Sequence, residues 1–98
     1  MDHTSAGALN WERGPEETFT GIVWMGPMSR APERTVAVLG VLFEPGARTF
    51  WHSHPDGQVL YVASGFGKVG NEDETVEISA GDVIYTPAGE RHWHGAGP

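Results

Sequence analysis

No run of strand-forming residues in this chain goes far before a glycine, proline, asparagine or aspartate cuts it short. Fourteen glycines and seven prolines in 98 residues do most of the cutting. Such punctuation disfavours long helices and suits many short strands joined by tight turns. In chain order the strand-like runs are 18–24, 35–43, 49–54, 58–63, 66–69, 75–79, 82–86 and 91–94. Gly26-Pro27, residues 31–34 and Glu44-Pro45-Gly46 are the breaks between the early ones. No segment sustains the 3.6-residue apolar period of a helix. Closely spaced short strands without helices predict an all-β sandwich or barrel. Residues 1–17 are mostly polar or small and are expected to form a flexible N-terminal arm, with Leu9 and Trp11 able to dock. Residues 18–98 are then a single domain, the most that this length accommodates.

Charge and composition remove several function classes. The formal net charge is −7, and the six basic residues are scattered, which excludes a nucleic-acid footprint. Without cysteine there is neither a disulfide nor a thiolate metal site. The N-terminus lacks the apolar stretch of a signal peptide. The longest apolar run, 36–43, is far too short to span a bilayer. The expectation is a soluble cytoplasmic protein that contacts neither membrane nor nucleic acid.

Four of the five histidines fall in two short stretches, His52 and His54 in one, His92 and His94 in the other. Side chains two apart on a strand share a face, so each pair projects together. Pro55-Asp56-Gly57 reads as a turn after which Gln58 opens a new strand. A hairpin there would return Gln58 to the two imidazoles, in one inward row with Leu60 and Val62. His92 would close the cage from a distant strand. Neutral imidazoles suit zinc, iron, nickel, cobalt and copper, and an amide oxygen suits a harder ion such as manganese. Three nitrogens and one oxygen leave coordination positions open, as in a catalytic site.

The first stretch reads G-x5-H-x-H-x3-Q-x6-G from Gly46 to Gly65, and the second reads G-x5-P-x-G-x2-H from Gly81 to His92, with fifteen residues between Gly65 and Gly81. These resemble the two signature motifs of the cupin superfamily. The resemblance implies a small antiparallel β-barrel with a metal inside. Most metal-binding cupins carry glutamate where this chain has Gln58. That glutamine, the run from Phe43 to Thr49, the run from Gly89 to Gly95 and the early segment from Gly14 to Gly21 resemble the small cupins that include manganese-dependent hydroxynitrile lyases. By that resemblance His52, His54, Gln58 and His92 are the metal ligands and His94 is a polar residue of the pocket. The expected cofactor is a divalent transition metal, manganese first, with iron, zinc, nickel or cobalt as alternatives. The expected reaction splits a small cyanohydrin into an aldehyde and hydrogen cyanide. An amide in place of the carboxylate leaves the ion's charge uncompensated and lowers the pKa of a bound hydroxyl. His94 is the candidate base that takes the proton. The resembling proteins continue past the point where this sequence ends at Pro98 with a strand that bears a further histidine. The barrel is therefore expected to lack its final strand and to expose an edge, which favours a homodimer.

Other motifs have plainer readings. Gly65-Phe66-Gly67-Lys68-Val69-Gly70 matches a dinucleotide fingerprint, but a turn and a strand-like run follow it instead of a helix. Glu72-Asp73-Glu74 lacks the spacing of a calcium loop and reads as a solvated turn. Asp56 is a turn-former ahead of Gly57, with a supporting role behind the histidines as the alternative. Phe50, Trp51 and Trp93 alternate with the histidines and are expected outside the barrel. Trp11 and Trp24 are expected in the core or an interface. Two other functions fit the same motifs: a metal-dependent dioxygenase and a non-catalytic small-molecule-binding module.

Overall fold

The computed structural model describes residues 3–27 and 37–98. Among them there is no α-helix, only the 3-10 turn Ala6–Ala8 and ten short strands. In chain order these are β1 (Glu12–Arg13), β2 (Phe19–Thr20), β3 (Val23–Pro27), β4 (Leu39–Phe43), β5 (Arg48–Thr49), β6 (Gln58–Tyr61), β7 (Phe66–Asn71), β8 (Thr75–Ser79), β9 (Val83–Thr86) and β10 (His92–Ala96). All pairings are antiparallel. Among the described residues no helix is long and apolar enough to cross a membrane.

The strands form three sheets, ordered β1-β3-β4, β2-β5-β10-β7-β8 and β6-β9. No backbone ladder joins these sheets among the described residues, so the barrel is not closed. The all-β expectation holds. The start of the 35–43 run lies outside the described residues, and the rest of it forms β4. The strand at 23 runs on through the expected break, with Pro27 opposite Leu39 at its end. Within the segment 1–17, Glu12 and Arg13 pair with Met25 and Trp24, and the Gly14 N–H donates to the Val23 carbonyl at 2.7 Å.

The core is small. Phe19, Val23 and Ala47 are buried, and Met25, Val41 and Phe43 pack against them. Phe19 meets Phe43 edge to face at 5.9 Å. Trp24 is half-buried, and its indole N–H donates to Glu44 Oε2 at 3.0 Å. Trp11 is exposed and lies over Gly26.

From Phe66 on, the dinucleotide-like glycine run falls inside β7, which turns directly into β8. Gly70 sits beneath the Trp93 ring, which has the Arg48 guanidinium 4.4 Å from its centroid on the outer surface. The acidic run is a turn. Asn71 Oδ1 accepts from the Asp73 and Glu74 N–H groups, both at 2.9 Å. Asp56 is exposed in its own turn.

Candidate metal centre

Three residues lie between Arg48 and His52, yet only two lie between their partners Gly95 and His92. One residue therefore bulges out between β5 and His52. A bulge bends a strand and re-aims the side chains after it. Thr49 is buried, Phe50 and Trp51 are both exposed, and His52 turns back inward. The uninterrupted strand expected over 49–54 would have put Thr49 and His52 on opposite faces. The bulge puts both on the inner side and both neighbouring aromatics outside.

Backbone pairing then clamps His52 to β10. The His52 N–H donates to the His92 carbonyl at 2.9 Å, and the His92 N–H returns the bond at 2.8 Å. His54 follows two residues on, and its carbonyl accepts from the Gly57 N–H at 3.3 Å and the Gly89 N–H at 2.9 Å. Gly57 takes a φ of 82°, and an added Cβ would come within 2.9 Å of the Thr86 carbonyl oxygen. A side chain there would strain the turn that delivers Gln58. The turn falls where it is expected, but the hairpin does not form. Gln58 belongs to β6, which pairs with β9 instead of with the His52 segment. Gln58, Leu60 and Val62 are half-buried, while Val59 and Tyr61 point out.

The three imidazoles meet closely. Ring centroids lie 4.3 Å apart for His52 and His92, 4.9 Å for His52 and His54, and 5.5 Å for His54 and His92. One ligand nitrogen from each lies within 4.8 Å of the others, so these three residues form a possible metal site. Gln58 joins through its Oε1, 3.1 Å from His92 Nε2.

Hydrogen bonds behind the rings orient them. His52 Nδ1 donates to the Phe50 carbonyl at 2.8 Å, and His92 Nδ1 donates to the Glu90 carbonyl at 3.0 Å. A carbonyl only accepts, so each bond assigns the proton to Nδ1 and leaves Nε2 with its lone pair. His92 Nε2 and Gln58 Oε1 then face each other as two acceptors. Without an amide flip, only a proton or a metal cation between them relieves that contact. His54 Nε2 is buried without a partner, a costly arrangement unless something binds it. These donors fit a divalent cation.

Burial is the largest cause holding the His52 imidazole below its ordinary pKa, opposed by the Phe50 carbonyl and reinforced by charge on His92. His54 is lowered by burial first, then by charge on His52 and His92. Both are thereby kept in the neutral form that a metal requires.

His94 lies beside this group and not within it. It is 8% exposed, and its Nε2 is also buried without a partner. Its ring stacks on His92 at 5.7 Å with planes 15° apart, meets His52 at 5.4 Å and meets Phe43 edge-on at 5.7 Å. Burial first, then charge on His52, His92 and His54, pushes its pKa down to about 3. Its backbone N–H donates to the buried Thr49 hydroxyl at 3.1 Å. Thr49 and Phe43 were not among the expected site residues. A threonine and a phenylalanine in strand-like runs have no local signal, and only the bulge and the packing bring them here.

A family model described as Cupin domain matches residues 40–97. A protein named (R)-mandelonitrile lyase from Granulicella tundricola is 50% identical over 100 aligned residues, covering 100% of this chain and 76% of that protein. The crystal structure of a cupin-like protein from Thermotoga maritima superposes with a TM-score of 0.81 at 40% identity, covering 86% of this chain and 65% of that one. This chain thus spans just under two thirds of that protein's length. A protein described as a predicted oxalate decarboxylase, also from Thermotoga maritima, gives a TM-score of 0.87 at 22% identity, covering 97% of this chain and 87% of that one, and attests the fold alone.

Proposed function

The chain belongs to the cupin domain family, and from that premise we propose that it is a metal-dependent lyase that cleaves a small cyanohydrin to an aldehyde and hydrogen cyanide. The donor set carries this reading. Three imidazoles with ligand atoms within 4.8 Å of one another stand beside a neutral amide oxygen, in a chain 50% identical to an (R)-mandelonitrile lyase. His52, His54, His92 and Gln58 would hold the ion. Mixed imidazole and amide donors favour manganese, with iron, zinc, nickel and cobalt also compatible. A divalent cation there supplies positive charge that no donor offsets, which lowers the pKa of a substrate hydroxyl.

The remaining work falls to side chains. His94 is neutral at neutral pH, and its Nε2 has no competing partner. It accepts the hydroxyl proton of the cyanohydrin. The carbon–cyanide bond breaks with its electron pair on cyanide, and the oxygen's electrons close the aldehyde carbonyl. Cyanide is a stronger base than this buried imidazole and takes the proton back, leaving as hydrogen cyanide. Phe43, edge-on to His94, gives the site an apolar wall that keeps water from the transferring proton.

Elemental analysis of the purified chain identifies the metal. The manganese-loaded protein is expected to release benzaldehyde from (R)-mandelonitrile, His94→Ala to retain the metal with little turnover, and His52→Ala to lose both. Equal inertness of the metal-loaded wild type and His52→Ala would overturn the reading.

A further inference from the structure

The carbonyl that orients His92 belongs to Glu90, in the segment 87–91 that joins β9 to β10 and lies outside both strands. Backbone bonds tie down the start of this segment. The Gly89 N–H donates to the His54 carbonyl at 2.9 Å, and the Glu90 N–H donates to the Pro87 carbonyl at 3.2 Å. A pair of side chains adds a further tie. Asn71 Nδ2 donates to Glu90 Oε1 at 3.2 Å. Both residues are half-buried, and they line one cleft between the β7–β8 turn and the segment.

Asn71 is a fixed point. It ends β7 directly opposite His92 on β10. Its backbone N–H donates to the Glu74 carbonyl at 2.9 Å, and its Oδ1 accepts from the Asp73 and Glu74 N–H groups. An amide nitrogen cannot accept those two bonds, so the side chain has one allowed orientation, with Nδ2 turned to Glu90. The turn thus holds the amide, the amide holds the Glu90 side chain, and the Glu90 carbonyl holds the His92 ring through Nδ1. Two oxygens compete for the His92 proton. Gln58 Oε1 lies 3.1 Å from Nε2 and would accept it there if the Glu90 carbonyl swung away. An imidazole protonated on Nε2 has no lone pair at that nitrogen for a cation.

We propose that Asn71 and Glu90 are positioning residues for the metal centre, joined so that the Glu90 carbonyl keeps His92 in the tautomer that binds a cation. Neither residue touches the ion or the substrate. The inference rests on the reading of His92 as a ligand and not on the lyase reaction. Geometry and charge make opposite demands here. If Glu90 acted only through its charge, a second carboxylate at position 71 would strengthen the attraction for a cation. If it acts through the bond, the same carboxylate breaks the link and weakens the site.

Asn71→Asp keeps the oxygen that the turn requires and replaces the Nδ2 donor with an acceptor. It should weaken zinc binding ~10-fold, the low end for losing a supporting partner. Glu90→Ala should do the same, and Glu90→Gln, which keeps an oxygen for Asn71, should lose less than Glu90→Ala. Asn71→Asp combined with Glu90→Gln reverses the bond, with the introduced amide donating, and should recover most of the affinity. Heteronuclear NMR of the imidazole nitrogens in metal-free protein reads the tautomer directly. His92 should carry its proton on Nδ1 in the wild type, shift toward Nε2 in Asn71→Asp, and return in the double variant. His52, oriented by the Phe50 carbonyl, should stay put throughout, which separates positioning from general loosening. In the unaltered chain, zinc should slow exchange of the Asn71 side-chain amide protons, the reciprocal of the same coupling. A wild-type His92 protonated on Nε2, single variants with wild-type affinity and tautomer, a double variant no better than Asn71→Asp, or His52 shifting along with His92 would each overturn the proposal. A wild type that binds no zinc would instead sink the metal reading, with the His92 tautomer still deciding this one.

Discussion

The two halves of the candidate metal centre are held very differently. His52 and His92 sit in the five-stranded sheet, where the chain past β5 runs beside β10, joined by two reciprocal backbone hydrogen bonds, and β10 is paired along its length to β7. His92 and His94 are buried there. Gln58 comes from a two-stranded ribbon of four residue pairs, solvent-exposed on its outer face. An isolated two-stranded element is only marginally stable. The His52 and His92 imidazoles are thus preorganised by the sheet, whereas Gln58 is held mainly by a turn and by the site itself.

The pH dependence should strain this contrast most. His94 has its pKa lowered from 6.5 to about 3, and His52 and His54 shift the same way. Between pH 6.5 and 3 the unfolded chain binds a proton that folded His94 refuses. The metal-free protein should therefore keep its full stability above pH 6.5 and lose it as pH falls toward 3. For His94 alone the loss is on the order of 5 kcal/mol. Urea unfolding of chelator-treated protein across this range tests the sign, and a flat profile would show that the histidine side is not dry.

Ligand deletions come next. His52→Ala should cost well over the ~100-fold in metal affinity typical of losing a supporting residue, and Gln58→Ala only ~10-fold. Equal losses in a metal titration would erase the distinction between sheet and ribbon. Hydrogen exchange sharpens the same point. Amides of β6 and β9 should exchange at least ~10-fold faster than those shared by β7 and β10 in dilute, monomeric protein. The smallest effect is expected from Thr49→Val, which keeps the shape but strands the His94 N–H. It should lower stability by about 1–2 kcal/mol in denaturant titrations and reduce turnover without releasing the metal.

Much of the site was legible because strand periodicity is local. The two-residue spacings of His52 with His54 and of His92 with His94 placed each pair on one face, and both pairs do face the site. The strand-like runs from 58 onward lie within a few residues of β6 through β10. What escaped is non-local. Nothing in residues 49–54 announces a bulge, because a bulge is defined by the partner strand's shorter count. The pairing of β6 with β9, in place of a hairpin with the His52 segment, depends on which edge is free once β10 has taken β5 and the His52 backbone. The continuation of β3 through Gly26 and Pro27 depends likewise on β4 lying alongside.

By itself, then, the order of residues determined an all-β chain, its turn positions, and which histidines travel together, since glycine and proline geometry and side-chain alternation act within a few residues. Only the tertiary structure decided that Thr49 and His52 share the interior, that Phe43 walls His94, and that the Gln58 ribbon stands apart with an apolar back. Those facts arise from contacts between residues far apart in the chain, where burial and backbone pairing compete and no local preference chooses the winner.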